Sequence, residues 1–316
     1  MENAPKKKSN ISNDCLNGFE PVDMHSESVN AALARTLISI QFPKWSGLEI
    51  EPVANGGIDH FSFRLGSRML IRLPSAVCYA TQVLKDHEWL PRLAPHLPLK
   101  IPRPLALGVP STRFPHHFSV YEWIEGAPAG PDNVVNRANF AVDLANFLQA
   151  LQSQDLAGAP RPGGGNFYRG GDLSTYDDET RIALRQLNDG IDKRAAKTIW
   201  QKALSSEWNG DMRFVHGDIA PGNLLVRDGR LVAIIDFGLL AAGDPACDYA
   251  ICWTFLDDTA RLAFRRALEI DDATWARAKG WALWKALITL ARSTMQPEAI
   301  TAAAAATLAT LLDMHD

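Results

Sequence analysis

No apolar run in the 316-residue sequence is long enough to cross a membrane, and no internal repeat is visible. A spanning helix needs about 20 mostly apolar residues, so a membrane protein is not expected. Lys6-Lys7-Lys8 is followed by polar residues and not by an apolar core, which argues against a secretory signal. Cys15, Cys78, Cys247 and Cys252 are scattered with no C-x-x-C among them. Neither a zinc site nor a disulfide framework is indicated, and reduced thiols in a cytoplasmic enzyme are the expectation. Excess positive charge is missing too. A formal net charge of −4 does not suit a general nucleic-acid binder.

What remains is ordinary for a globular chain, with 47% hydrophobic and 22% charged residues. The informative stretch is residues 214–238, FVHGDIAPGNLLVRDGRLVAIIDFG. Asp228-Gly229 separates two β-prone runs, and Asp-Gly in that setting predicts a hairpin, because Gly tolerates the positive φ of a tight turn. Folding about that pair brings Asn223 and Asp236 to one open end, with Asp218 on the loop just before it. A loop carboxylate can accept a hydroxyl proton. An amide oxygen beside a second carboxylate makes a hard oxygen site suited to Mg²⁺, with phosphates and water completing the shell.

His216-Gly217-Asp218, Asn223 and Asp236-Phe237-Gly238 reproduce the spacing of the kinase catalytic loop and its D-F-G, with Gly217 in place of the arginine. The stretch resembles the aminoglycoside phosphotransferase family, small-molecule kinases with a protein-kinase-like fold. The resemblance implies a bilobal α+β fold, with a small antiparallel-sheet N-lobe and a larger, mostly helical C-lobe. The nucleotide would lie between the lobes. Asp218 would be the catalytic residue, and Asn223 and Asp236 would hold Mg²⁺. The implied reaction moves the γ-phosphoryl group of ATP or GTP to a hydroxyl of a small molecule, most simply an aminoglycoside-type antibiotic. A macrolide or metabolite kinase uses the same motif set, and a nucleotide-binding pseudokinase is a third reading.

The rest of the chain fits in order. Residues 1–25 are polar and aperiodic and read as a disordered extension. Residues 26–124 read as the nucleotide-binding lobe and residues 125–316 as the catalytic and acceptor-binding lobe. Val29, Leu33, Leu37 and Ile40 predict an amphipathic helix over 28–40. Strands follow at 48–53, 61–65 and 69–73. By resemblance, Gly56-Gly57 opens the phosphate-covering loop. The phosphate-binding lysine of the third strand is replaced by Arg72, for which Glu88 on the next helix is the natural partner. Glu122, Trp123 and Ile124 would form the hinge that reads the base.

In the second lobe, Phe140, Leu144, Phe147, Leu148 and Leu151 predict a helix capped by Asp132 or Asn133. The glycine-rich 158–171 reads as a surface loop, because it follows a helix and not a strand. Gly243-Asp244-Pro245 and Asp248 resemble the family's G-D-P-x-x-D segment, with Asp248 tying the catalytic loop to the helix beyond. Trp253, Trp275, Trp281 and Trp284 read as core. The pairs Asp257-Asp258 and Asp271-Asp272 are candidate contacts for a polyamine acceptor.

Overall fold

The computed structural model describes residues 29–53, 59–187 and 190–313. The chain divides into two compact units. One runs to Glu88 and takes in Pro104–Trp123; the other comprises Trp89–Arg103 and everything from Ile124. Trp89–Arg103 lies within the stretch that the sequence reading gives to the first lobe. The expected 1–25 extension and Gly56-Gly57 fall outside the described residues.

The first unit is built on helix α1 (Ala31–Gln41) and strands β1 (Ile50–Pro52), β2 (His60–Leu65), β3 (Met69–Pro74), β4 (Pro104–Gly108) and β5 (Phe118–Glu122), with α2 (Val77–Leu93) between β3 and β4. The antiparallel sheet has the order β1-β2-β3-β5-β4. Asn30 caps α1, its side chain accepting the N–H groups of Ala32 and Leu33. The helix buries Ala34, Leu37 and Ile38 against Phe63, Leu65, Ile71 and Phe118. Ile40, expected on the buried face, is 62% exposed. The true apolar stripe follows 34, 37 and 38 and is narrower than the sequence pattern suggests. Helix α2 carries Pro91 near its end.

The second unit is mainly helical: α3 (Arg137–Gln152), α4 (Asp177–Gln186), α5 (Lys193–Ser205), α6 (Ile251–Thr254), α7 (Asp258–Ala267), α8 (Asp272–Ala291) and α9 (Glu298–Asp313). Asn136, and not Asp132 or Asn133, caps α3, accepting the N–H of Asn139. Asn133 instead closes the preceding turn. Its Oδ1 accepts the N–H of Gly130, and its Nδ2 donates to the carbonyl of Pro128. Two short sheets sit among the helices. One pairs β7 (Arg213–Val215) with β10 (Ala241–Gly243). The other orders β6 (Ala127–Pro128), β8 (Leu224–Arg227) and β9 (Arg230–Ile234) as β6-β8-β9.

The loop over 158–171 is more than surface. Asp244 N–H donates to the Gly170 carbonyl and Ala242 N–H to the Pro160 carbonyl, both at 2.7 Å. Asn166 is buried, with its Nδ2 donating to the Leu239 carbonyl at 3.3 Å. Glycine is needed because the backbones of Gly170 and Gly243 meet with no room for a Cβ. Glycine content alone cannot separate a solvated loop from one whose backbone packs closely. Among the described residues, no helix is long and apolar enough to cross a membrane.

Candidate active site

Strands β8 and β9 form the hairpin expected from Asp228-Gly229, whose φ values of 54° and 77° are both positive. A register shift between Leu225 and Val226 adds a bulge that the turn signal alone does not contain. At the open end, Ile235 N–H donates to the Asn223 carbonyl at 2.9 Å. This bond holds Asn223 one step from Asp236.

The loop of His216, Gly217 and Asp218 is fixed by two side chains. Asp248 is fully buried, and its Oδ2 and Oδ1 accept the backbone N–H groups of His216 and Gly217 at 2.7 and 2.8 Å. Burial pushes its carboxyl up to about 7, against the pull of the two N–H groups toward the ionised form. His216 is buried as well. Its Nδ1 accepts the N–H of Asp218 at 3.2 Å, so Nε2 carries the proton and donates to the Ile235 carbonyl at 3.1 Å. The imidazole thus joins the loop to the end of β9, and the Phe237 ring packs edge-on against it at 4.5 Å.

Asp218 and Asn223 are in direct contact. Asn223 Nδ2 donates to Asp218 Oδ2 at 2.8 Å and to the Asp218 carbonyl at 2.9 Å. These bonds fix the amide so that its oxygen is the atom able to ligate a metal, and they leave the other Asp218 carboxylate oxygen to accept a proton. Asp236 adopts a left-handed backbone, φ 69° and ψ 67°. A non-glycine residue held there stores strain of order 1 kcal/mol or more, a feature that clusters at functional sites. One amide oxygen and one carboxylate are hard donors that fit Mg²⁺, which commonly takes one or two protein ligands and completes its shell with phosphates and water. Among the described residues, no group of three or more His, Cys, Asp or Glu gathers as a metal cage.

In the first unit, Arg72 is half-buried on β3, with a guanidinium nitrogen 3.1 Å from His60 Nδ1. Glu88 is exposed on α2. Its neighbour Asp86 is buried and accepts the Tyr121 hydroxyl at 2.8 Å. Glu122 ends β5, and Trp123 N–H donates to the Arg68 carbonyl at 2.8 Å. The Arg64 guanidinium lies 3.7 Å from the Trp123 ring centroid. Ile124 begins the second unit.

The four acidic residues considered for an acceptor all have local structural partners. Asp257 caps α7 and Asp271 caps α8. Asp258 pairs with Arg261 at 2.7 Å, and Asp272 pairs with Arg265. Carboxylates at helix N-termini suit the helix dipole.

A group of side chains adjoins the loop that carries Asp218, among them Trp281 and Trp284, which the sequence reads as core and which are buried. A Cβ on Gly217 would lie 3.1 Å from the Cβ of Arg169. The Arg169 guanidinium is 4.7 and 5.3 Å from the rings of Trp284 and Trp281. Trp284 Nε1 donates to Glu179 Oε2 at 2.8 Å, and Arg292 donates to Glu179 Oε1, also at 2.8 Å. These residues come from a loop and two separate helices. The only sequence signal was the spacing of Trp281, Trp284, Lys285, Ile288 and Arg292 along one helical face.

Residues 49–281 match the model of the phosphotransferase enzyme family. No curated protein matches the chain by sequence. Among solved structures, the chain is similar to the GDP complex of aminoglycoside 2'-phosphotransferase-IIIa, at 18% identity and a TM-score of 0.66, covering 90% of this chain and 98% of that one. It is similar to the ADP-bound aminoglycoside phosphotransferase APH(2'')-Ib, at 16% identity and a TM-score of 0.57, covering 90% and 99%. Macrolide 2'-phosphotransferase type I gives 19% identity and a TM-score of 0.62, covering 88% and 96%. At these identities the structures speak for the fold, and the family match spans most of the sequence. The chain belongs to the phosphotransferase enzyme family, that of the aminoglycoside phosphotransferases, enzymes acting on hydroxyl groups.

Proposed function

We propose that the protein transfers the γ-phosphoryl group of ATP or GTP to a hydroxyl of a small molecule, with Asp218 accepting the hydroxyl proton. The observation that carries this reading is the Asn223–Asp218 hydrogen bond at the mouth of the β8–β9 hairpin. It aims one carboxylate oxygen and frees the other. A general base so placed contributes about 10²–10⁴-fold.

Asn223, through its amide oxygen, and Asp236, through its carboxylate, would hold Mg²⁺. The bound ion would neutralise phosphate charge. The chain's own part is positioning: Asp248 and His216 fix the loop, and Asn223 orients Asp218. Arg72, Glu88 and the backbone at Glu122, Trp123 and Ile124 are the proposed nucleotide contacts, together with Gly56-Gly57. Arg72 would supply the fixed cation for the phosphates. A guanidinium keeps its charge whatever surrounds it.

Asp218→Ala and Asp236→Ala test the assignment side by side. Asp218→Ala should cut transfer by about 10²-fold or more while calorimetry shows Mg²⁺-nucleotide binding little changed. Asp236→Ala should weaken Mg²⁺-nucleotide binding itself. Near-normal turnover in Asp218→Ala overturns the assignment, and a wild-type protein that binds nucleotide without turnover is the pseudokinase of the third reading.

A further inference from the structure

We propose that the groove between α4 and α5 is a second ligand site, and that it takes a compact molecule carrying two or more phosphate groups. The inference goes beyond the phosphotransferase reading, because the groove shares no lining residue with the loop of Asp218 or with the groups that hold that loop.

The groove has a volume of about 410 Å³, a size usual for small-molecule sites. Arg181, Leu184 and Arg185 line it from α4, and Lys193, Lys197 and Trp200 from α5. The first set falls at i, i+3 and i+4 and the second at i, i+4 and i+7, so each occupies one helical face. Among the described residues, no carboxylate lines the groove. Arg181 with Arg185, and Lys193 with Lys197, are like-charge pairs at i, i+4, a spacing that weakens each helix. Gathering both pairs around one hollow adds repulsion between the helices. Asp177 offsets part of it, its two carboxylate oxygens accepting Arg181 Nε at 2.9 Å. That bond uses neither terminal nitrogen of Arg181. Arg185 and Lys197 are exposed and make no ion pair among the described residues.

The two walls are tied together. Asp177 Oδ1 also accepts Trp200 Nε1 at 2.8 Å, which links α4 to α5 and fixes the spacing of the cations. Leu184 and Trp200 are buried and give the hollow an apolar floor. A cleft lined by one sign of charge over apolar walls focuses its field and gathers counter-ions. The chain as a whole carries a formal net charge of −4, so this positive field is local. Nucleic acids and membranes are met by broad basic faces, whereas a hollow flanked by two helices fits a compact ligand. The guanidinium groups of Arg181 and Arg185 match phosphate oxygens in a fork, and the two ammonium groups add point charge. One carboxylate would leave most of the four charges unmatched. Two or more phosphates, each carrying about −1.5 to −2 near pH 7, balance them.

The test is a calorimetric titration of wild-type protein, Lys197→Glu and Arg185→Glu in buffer free of divalent metal. The probes are inorganic tripolyphosphate, fructose 1,6-bisphosphate, citrate and poly-glutamate. At least one phosphate probe should bind wild type more tightly than citrate, and its Kd should rise about tenfold or more in each variant. The same probe should raise the melting temperature of wild type and leave that of the variants nearly unmoved. The ratio between the two phosphate probes tells an inorganic ligand from an organic one. Without ligand, both variants should melt no lower than wild type, because each exchange at an exposed position relieves a like-charge pair. Binding of Mg²⁺ with a non-hydrolysable ATP analogue, titrated separately, should be the same in all three proteins. Phosphate binding that both charge reversals leave unchanged overturns the proposal, as does wild type that binds neither phosphate probe. Citrate binding as tight as phosphate overturns it too. Poly-glutamate binding without either small phosphate overturns it in favour of an acidic protein partner. A loss confined to the nucleotide analogue means that the cations serve the donor, and this also overturns it. Absence of phosphoryl transfer counts against the phosphotransferase reading alone and is measured separately from these affinities.

Discussion

Asp248 Oδ1 accepts the backbone N–H of Gly217 at 2.8 Å, across 31 residues of sequence, and its Oδ2 takes the preceding N–H of His216. One carboxylate thus satisfies two consecutive buried amides and sets the path of the loop that presents Asp218. An unsatisfied buried donor costs about 1–3 kcal/mol. Asp248→Ala should therefore lower unfolding free energy by roughly 2–5 kcal/mol in a urea titration and depress transfer along with it. Full stability in that variant would show that the loop is held by other means.

The same carboxyl gives a pH dependence. Its folded value of about 7 lies above the ordinary 3.8, so between those values the folded protein holds a proton that the unfolded chain releases. The stability from this group is complete below about pH 4 and is lost as pH rises through about 7. The difference in melting temperature between wild type and Asp248→Asn should shift against wild type as pH is raised over that window. A difference that grows in favour of wild type contradicts the sign.

Gly217 is expected to tolerate no side chain. Its φ is +86°, and a Cβ would sit 2.7 Å from the Leu239 carbonyl oxygen. Gly217→Ala combines backbone strain with a backbone clash and should cost upward of about 1–3 kcal/mol. Because Asp218 is the next residue, transfer should fall even where the fold survives. Chemical denaturation and turnover measured on the same preparation separate the two effects.

Arg277 and Asp244 form a buried pair, Nε to Oδ2 at 2.6 Å with a second bond at 3.2 Å. Arg277 also reaches the Ser206 carbonyl at 3.2 Å. Removing one partner strands the other charge, so Arg277→Met and Asp244→Ala should each cost about 3–5 kcal/mol. The double variant should cost clearly less than the sum, as a double-mutant cycle would measure. Additive losses would mean that the two do not act as a pair.

Arg72→Ala should raise the nucleotide KM and lower kcat, because the proposed phosphate cation is gone. Arg72→Lys should retain part of the activity, since the charge remains while the planar fork is lost. Unchanged kinetics in Arg72→Ala would leave the half-buried guanidinium and its contact with His60 with a structural role alone.

The local features were legible in the sequence because short-range chemistry sets them. Asp228-Gly229 dictates a turn that needs two positive φ values, and the apolar alternation on either side dictates the strands it joins. That pairing fixes Asn223 against the end of β9, so the polar mouth of the hairpin could be read without coordinates. The antiparallel character of the first unit and the helical character of the second follow likewise from periods of two and of 3.6. The cap of α3 could not be read so well. Asn133 and Asn136 are both good N-cap residues, and only the turn closed by Asn133 decides between them.

Tertiary structure alone decided what packs beside Gly217, the residue before Asp218. Arg169, which abuts Gly217, comes from a loop, the Trp281 and Trp284 rings it rests on from α8, and the Glu179 that holds Trp284 from α4. No local spacing couples the three segments. Glycine-rich 158–171 looked like solvated loop, since sequence does not reveal that Gly170 must meet the backbone of Gly243. Of the acidic pairs, Asp257 and Asp271 cap α7 and α8, while Asp258 and Asp272 pair with arginines and stay exposed, an arrangement that the pairs alone do not reveal. Catalytic motifs are written in contiguous residues, because backbone geometry carries them. The bonds that hold their loop come from side chains that only packing brings close, such as Asp248 across 31 residues of sequence.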